Sequence, residues 1–189
     1  MTEATARVVP RPSPSPAPST LDLRMMSKEE VVELYHRLES PSFGEMHGEY
    51  AASLLDQGSR MMNLLSRFKV HLRGLWLCKA FEPTGSNEGH GYNSFRGPQG
   101  VFRASRMRTR IGPSKLAGDD KDAFHLEYAD FNDFRRGGLV GAHLHTMFDE
   151  VRKVGPDLYL GIGRVGFTEK ARARLHPFIL EGPVAPFAG

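Results

Sequence analysis

Two histidines one residue apart, in His143-Leu144-His145, are the most pointed chemical feature of the chain. On a β-strand, residues i and i+2 face the same side, so both imidazoles would reach one cavity or one cation. Asp149 shares their parity, and His125 or Glu127 would approach from the strand before. Two histidines and a carboxylate make a workable zinc or iron set. Without a metal, the same groups make a polar cavity wall that can move protons, or serve as ordinary surface or structural histidines. No ligand-dense motif accompanies the pair, and neither a metal nor a cofactor is expected.

Other groups carry chemistry only if their strands turn them inward. Glu150 and Arg152 share one face; inside a barrel they would form a buried pair able to anchor a polar substrate group, and outside a solvated one. Arg106, Arg108 and Arg110 also share a face. Three unpaired arginines inside a barrel would need an anion, so they are expected outside, with Met107, Thr109 and Ile111 inward. The glycine-rich stretch from Glu88 to Asn93 reads as a rim turn, or else as a ligand gate offering His90 and Tyr92 for acid–base work. Cys78 is the only cysteine; it reads as a small apolar filler and rules out an intramolecular disulfide. No Gly-x-Ser-x-Gly elbow or dinucleotide fingerprint occurs.

The elements that must position these residues fall into two textures. Ser27-Lys28-Glu29-Glu30 is a capping box, followed by Val31, Leu34, Tyr35 and Leu38 at helical spacing, with Ser40-Pro41 as the stop. A second helix is expected over Glu49–Phe68, divided at Gly58, with Met61, Met62, Leu64, Leu65 and Phe68 facing the core. After Val70, short β-rich runs alternate with Gly, Pro, Asn and Asp: 72–81, 91–96, 101–111, 123–131, 139–151, 158–167 and 175–180. Seven runs with short connections point to an antiparallel meander closed as a barrel. The chain therefore divides into a disordered Pro-rich tail (1–24), a helical segment packing on the barrel (25–70) and an antiparallel β-barrel (71–189).

The 189 residues suit one domain. A net charge of +3 is too small to argue for nucleic acid. No apolar run approaches the roughly 20 residues that span a bilayer, so no membrane partner is expected. The first twenty residues lack the apolar run of a secretory signal. Arg7 and Arg11 fit an organelle transit peptide weakly, and the expected location is cytoplasmic.

Gly74-Leu75-Trp76, placed after a helix and on the first strong strand, resembles the Gly-x-Trp signature that opens the barrel of lipocalins, a calycin-type family. The resemblance implies a mainly β fold, an N-terminal helical region with an antiparallel lipocalin-like β-barrel. It also implies that Trp76 plugs one barrel end and that a basic residue of a late strand, Arg164, packs over it. It covers about half of the chain. The chain departs from the family in having its helices first, one lone cysteine and no secretory signal, where lipocalins are typically secreted and often disulfide-bonded. It is similar either to an intracellular lipocalin-like group or to a convergent barrel.

The expected function is binding of a small, largely apolar organic molecule in a barrel cavity, with neither nucleic acid nor membrane as a partner and the oligomeric state unspecified. Trp76, Phe95, Phe102, Tyr128, Tyr159, His143 and His145 would line that cavity. His90, Tyr92, Glu150, Arg152 and Arg164 would supply further ligand contacts. Chemistry, if present, would be cofactor-independent isomerisation or cyclisation by proton transfer through His143, His145, Glu127 or Tyr128. A non-catalytic carrier, or a protein-interaction module with a filled barrel, are the alternatives.

Overall fold

A computed structural model of the protein describes residues 17–71 and 73–189. Eight antiparallel strands follow one another around a closed barrel: β1 (Gly48–Leu54), β2 (Leu75–Pro83), β3 (Gly89–Gly97), β4 (Gly100–Pro113), β5 (Asp122–Glu127), β6 (Phe148–Gly155), β7 (Leu158–Arg164) and β8 (His176–Ala185). β1 pairs with β8, which closes the sheet and leaves no edge to aggregate. The mainly β, barrel-forming fold class read from the sequence is the one found.

Two parts of the expected organisation are corrected. The expected helix from Glu49 is a strand at its start. Tyr50, Ala52 and Leu54 alternate into the barrel while Glu49, Ala51 and Ser53 face out, and the helix begins only at α3 (Arg60–His71). The run 139–151, expected as one strand, splits into α4 (Phe134–His145) and β6. The Pro-rich tail lies outside the described residues up to Pro16, but its last residues fold. α1 (Thr20–Met25) is closed by a Ser19/Asp22 capping box and buries Leu23.

The capping box expected at Ser27 is present: its hydroxyl accepts from Glu30 N, and Glu30 reaches back to Ser27 N, opening α2 (Lys28–Arg37). α2 lays Val31 and Tyr35 over the outer wall, on Leu158, Leu160, Ile162 and Ile179. Inside the wall a second apolar set gathers Tyr50, Phe81, Phe124, Leu126, Tyr159 and Leu180. Phe43 and Met46, in and beside a 3-10 turn at Phe43–Glu45, close one end over it. Edge-on aromatic contacts tie this end together, with Phe81 and Phe124 centroids 5.3 Å apart.

Antiparallel order places the connections. The β1–β2, β3–β4, β5–β6 and β7–β8 links all lie at the end opposite Phe43, here termed the mouth. They carry α3, a tight hairpin, α4 and α5 (Glu169–Arg172). The closed end has the short turns after β2, β4 and β6.

Candidate functional site at the mouth of the barrel

The strongest chemistry inside the wall is a charged cluster on three strands near the mouth. Lys79 of β2 donates to Tyr128 Oη at 2.5 Å and to Asp149 Oδ2 of β6 at 2.9 Å. Tyr128 follows β5 and donates its own proton to Asp149 Oδ2 at 3.0 Å. Lys79 and Asp149 are each 1% exposed. Burying two charges costs several kcal/mol per ion before their attraction is counted, so this pair is held in place by good geometry. The Lys79 ammonium also sits 5.4 Å from the Trp76 ring, 5.3 Å from Tyr128 and 5.1 Å from Phe178.

Local irregularities make this arrangement possible. Trp76 and Lys79 are three residues apart, so a regular strand would face them oppositely. A register shift between Trp76 and Cys78 turns both inward. Gly163 opposes Asp149, and any Cβ there would meet Asp149 Oδ1 at 2.3 Å. Trp76 Nε1 donates to Asn93 Oδ1 at 3.1 Å, and Asn93 passes the chain on to the Ser105 carbonyl.

Electrostatics fix the protonation of two members. Burial, then the neighbouring Asp149 charge, pushes the Tyr128 phenol well above its ordinary value, so it remains a donor. His176, at the start of β8, is pushed down to about 4, chiefly by burial and secondarily by Lys28 and Lys69, so its imidazole is neutral near pH 7. Its Nδ1 lies 2.9 Å from Gln57 Oε1. Gln57 donates its own amide protons to Leu55 O and Pro177 O, which leaves Nδ1 as the protonated nitrogen of His176. One polar atom of the cluster stays unmatched: Asp149 Oδ1 is buried and has no hydrogen-bond partner.

The structure redistributes the residues singled out from the sequence. Tyr128, Trp76 and Tyr159 face the interior, Tyr159 deeper toward the closed end, with its hydroxyl 3.3 Å from Glu45 Oε1. Phe95 and Phe102 stack at 5.6 Å on the β3–β4 hairpin, at the rim. His143 and His145 do not converge. They lie on α4, where residues two apart point to different sides of the helix. His145 Nδ1 meets the Ala129 and Asn132 carbonyls, and the His143 ring packs on Phe167. Among the described residues no group of three or more His, Cys, Asp or Glu is placed to hold a metal ion.

Several others lie outside the wall. Glu127 faces outward and pairs with Arg110 at 2.8 Å and Lys115 at 3.2 Å. Glu150 and Arg152 are buried, but between the barrel and α2, and not with each other. Arg152 forks onto Asp119 at 2.8 and 2.6 Å, and Glu150 accepts from Ser114 Oγ and Lys115 N. Arg164 stacks on Phe148, whereas the cation over Trp76 is Lys79, which corrects the role the resemblance implied for Arg164. The Glu88 turn is a rim turn, and His90 and Tyr92 border an outer-wall cleft of about 270 Å³ with Arg103, Arg106 and Phe187. Arg106, Arg108 and Arg110 face out, and Met107 and Thr109 in, as their parity indicated. The Cys78 thiol is buried and pushed up to about 11 by that burial, as befits a filler.

Lys79 is the member that sequence reasoning passed over. Its signal was a lone cation inside the run Leu75–Phe81, matched by an acid, Asp149, in the later run Phe148–Val154.

No protein-family model and no curated protein matches this sequence. A solved structure, described as a crystal structure of a protein from Thermomonospora curvata, is similar at a TM-score of 0.52 and 18% identity. The match covers 82% of this chain and 87% of that one. At that identity the likeness speaks for the fold alone, an antiparallel eight-stranded barrel.

Proposed function

We propose that the barrel binds a small, largely apolar molecule that enters at the mouth and sets one polar group against Lys79, Tyr128 and Asp149. The observation that carries this reading is the unpartnered, buried Asp149 Oδ1 beside a buried ammonium. That oxygen calls for a donor, so a ligand hydroxyl or similar group complements it, while Trp76 and Phe178 offer apolar contact. The floor also holds a phenol donor, a carboxylate acceptor and a cation that would stabilise a developing enolate. Those are the parts that a cofactor-independent isomerisation or cyclisation by proton transfer requires. His143, His145 and Glu127 are not part of this floor.

Native mass spectrometry of the protein purified from its own host, with metal analysis of the same sample, tests the proposal. A retained small molecule that Lys79→Met and Asp149→Asn release supports it and names the class to assay for turnover. Binding that survives both substitutions refutes it.

A second reading, a protein-interaction module with a filled barrel, is favoured by a different observation. Phe43, Met46, Phe81 and Phe124 pack the closed end, and the two clearest clefts both lie on the outer surface. Absence of any retained molecule, together with failure of apolar probes to bind, selects this reading.

A further inference from the structure

Helix α3 is mounted with its apolar side outward. Met61, Leu64, Leu65 and Phe68 recur at i, i+3, i+4 and i+7, a single helical stripe. The sequence pattern expects that stripe in the core, yet Leu64 is 69% and Phe68 63% exposed. The side turned to the protein is mixed, with Met62 and Val70 half-buried beside polar groups. Ser66 is buried, and Asn63 bonds Asp56 Oδ1 at 2.8 Å and Gln57 N at 2.7 Å. The Asn63 amide thus helps to anchor the helix, and the outer stripe is left without a partner among the described residues.

The stripe belongs to a larger feature. Among the described residues fourteen large apolar side chains are exposed; eight of them lie in the mouth connections, Leu139 of α4 and Phe167 before α5 included, and Leu75, Val101 and Phe102 lie at the adjoining strand ends. Scattered singly they would need no explanation, but gathered at one end they form a patch that marks an interaction surface. Charge gathers there too. Residues 55–75, 96–102, 128–147 and 164–175 hold eleven Lys and Arg against four Asp and Glu, a net +7, while the rest of the chain is net −4.

We propose that the mouth end docks on an anionic lipid surface. The α3 stripe would enter the headgroup region, and the surrounding Arg and Lys would meet lipid phosphates. An apolar face ringed by basic side chains is what binds at such an interface. The same charge argues against a second copy on this face, because a two-fold pairing would bring two +7 surfaces together. This docking lies flat on the membrane; no helix of the described residues is long and apolar enough to cross it.

The test is flotation of the full chain with vesicles of phosphatidylcholine alone or mixed with phosphatidylglycerol. The protein is expected to float with the mixed vesicles only, and less as salt is raised. Replacing Leu64 and Phe68 together by serine is expected to weaken partitioning about tenfold or more, and Arg67→Glu with Lys69→Glu to weaken it as well. Val184→Ser removes an exposed apolar group on β8, away from the mouth, and is expected to change nothing. Both serine positions are exposed, so the fold is retained, which circular dichroism checks. The proposal is overturned by absence of binding to the mixed vesicles, or by equal binding of the serine double variant. It is overturned in favour of self-association if the protein ignores vesicles and elutes as a dimer that the serine variant dissociates. None of these outcomes depends on whether a small molecule occupies the barrel.

Discussion

Removing Lys79 should damage the protein far more than removing Lys79 and the Asp149 charge together. At 2.9 Å the gross attraction between the two charges is about 6 kcal/mol for an effective dielectric constant of about 20. Most of that offsets desolvation, so the pair adds little net stability, but breaking it strands a buried charge. Lys79→Met leaves the Asp149 carboxylate with only the Tyr128 hydroxyl, and should cost about 3–5 kcal/mol. Asp149→Asn leaves an ammonium still facing Trp76, Tyr128 and Phe178, so its cost should be smaller, about 2–4 kcal/mol. The double variant replaces the pair by neutral groups of similar volume and should lose only about 1–3 kcal/mol, a coupling of at least about 2 kcal/mol. Urea unfolding followed by fluorescence reads this directly, because Trp76 is the sole tryptophan and packs against the pair. Far-UV circular dichroism in parallel checks that the transition is two-state. Single variants that fail to fold while the double folds would report the same coupling. Effects that add to within about 0.5 kcal/mol would refute the reasoning, since independent sites behave that way.

Three further outcomes are expected. His176 is held at about 4 against about 6.5 in an unfolded chain. The unfolded state therefore binds the extra proton between those values, and stability should be full above pH 6.5, fall as pH drops toward 4, and level off below. Urea midpoints across that range, compared with His176→Gln, which removes the slope, check it. Gly161 leaves the space that the Phe178 ring fills, a Cβ there coming 2.1 Å from the ring; Gly161→Ala should destabilise by about 1–3 kcal/mol in the same assay. Arg152 binds Asp119 with two nitrogens and stacks at 4.6 Å on Tyr35, so Arg152→Lys should still cost about 1–3 kcal/mol by thermal melting despite keeping the charge. A melting temperature unchanged by that substitution would show that the fork does not matter.

What could be read from the chain divides by how far each signal reaches. The Ser27 capping box and the Arg106–Ile111 alternation are local, so sequence spacing was enough to place them. The first strand was hidden because Ala51, Ala52, Leu54 and Leu55 favour a helix, and only its pairing with β2 and β8 makes Gly48–Leu54 extended. That is tertiary context overriding propensity. The reverse happened at Leu139–His145, where alternation suggested a strand. There Gly137 and Gly138 leave helical geometry and restart the chain as the second half of α4, which moved both histidines off the wall. The ion pair escaped because its members are 70 residues apart, and because the bulge before Cys78 reverses the parity that Trp76 alone would assign.

The two ends of the barrel are built differently, and that contrast is why both proposals concern the mouth. At the closed end the links are brief, Pro156 and Asp157 between β6 and β7 for example, and the interior is aromatic. That is how a barrel is built for stability alone. At the mouth three of the four links run long, α3 turns an apolar stripe to solvent, positive charge accumulates and a buried ion pair replaces apolar packing. A buried pair is on average no more stabilising than apolar residues of like volume, and an exposed apolar stripe contributes nothing to folding. A barrel shaped for stability alone would have rotated α3 to bury Leu64 and Phe68 and filled the Lys79 and Asp149 positions with leucine or phenylalanine. Both departures occur at the same end, where long connections commonly carry binding. The mouth is thus the end at which the proposed ligand and the proposed lipid surface would meet the chain, and both proposals are tested there.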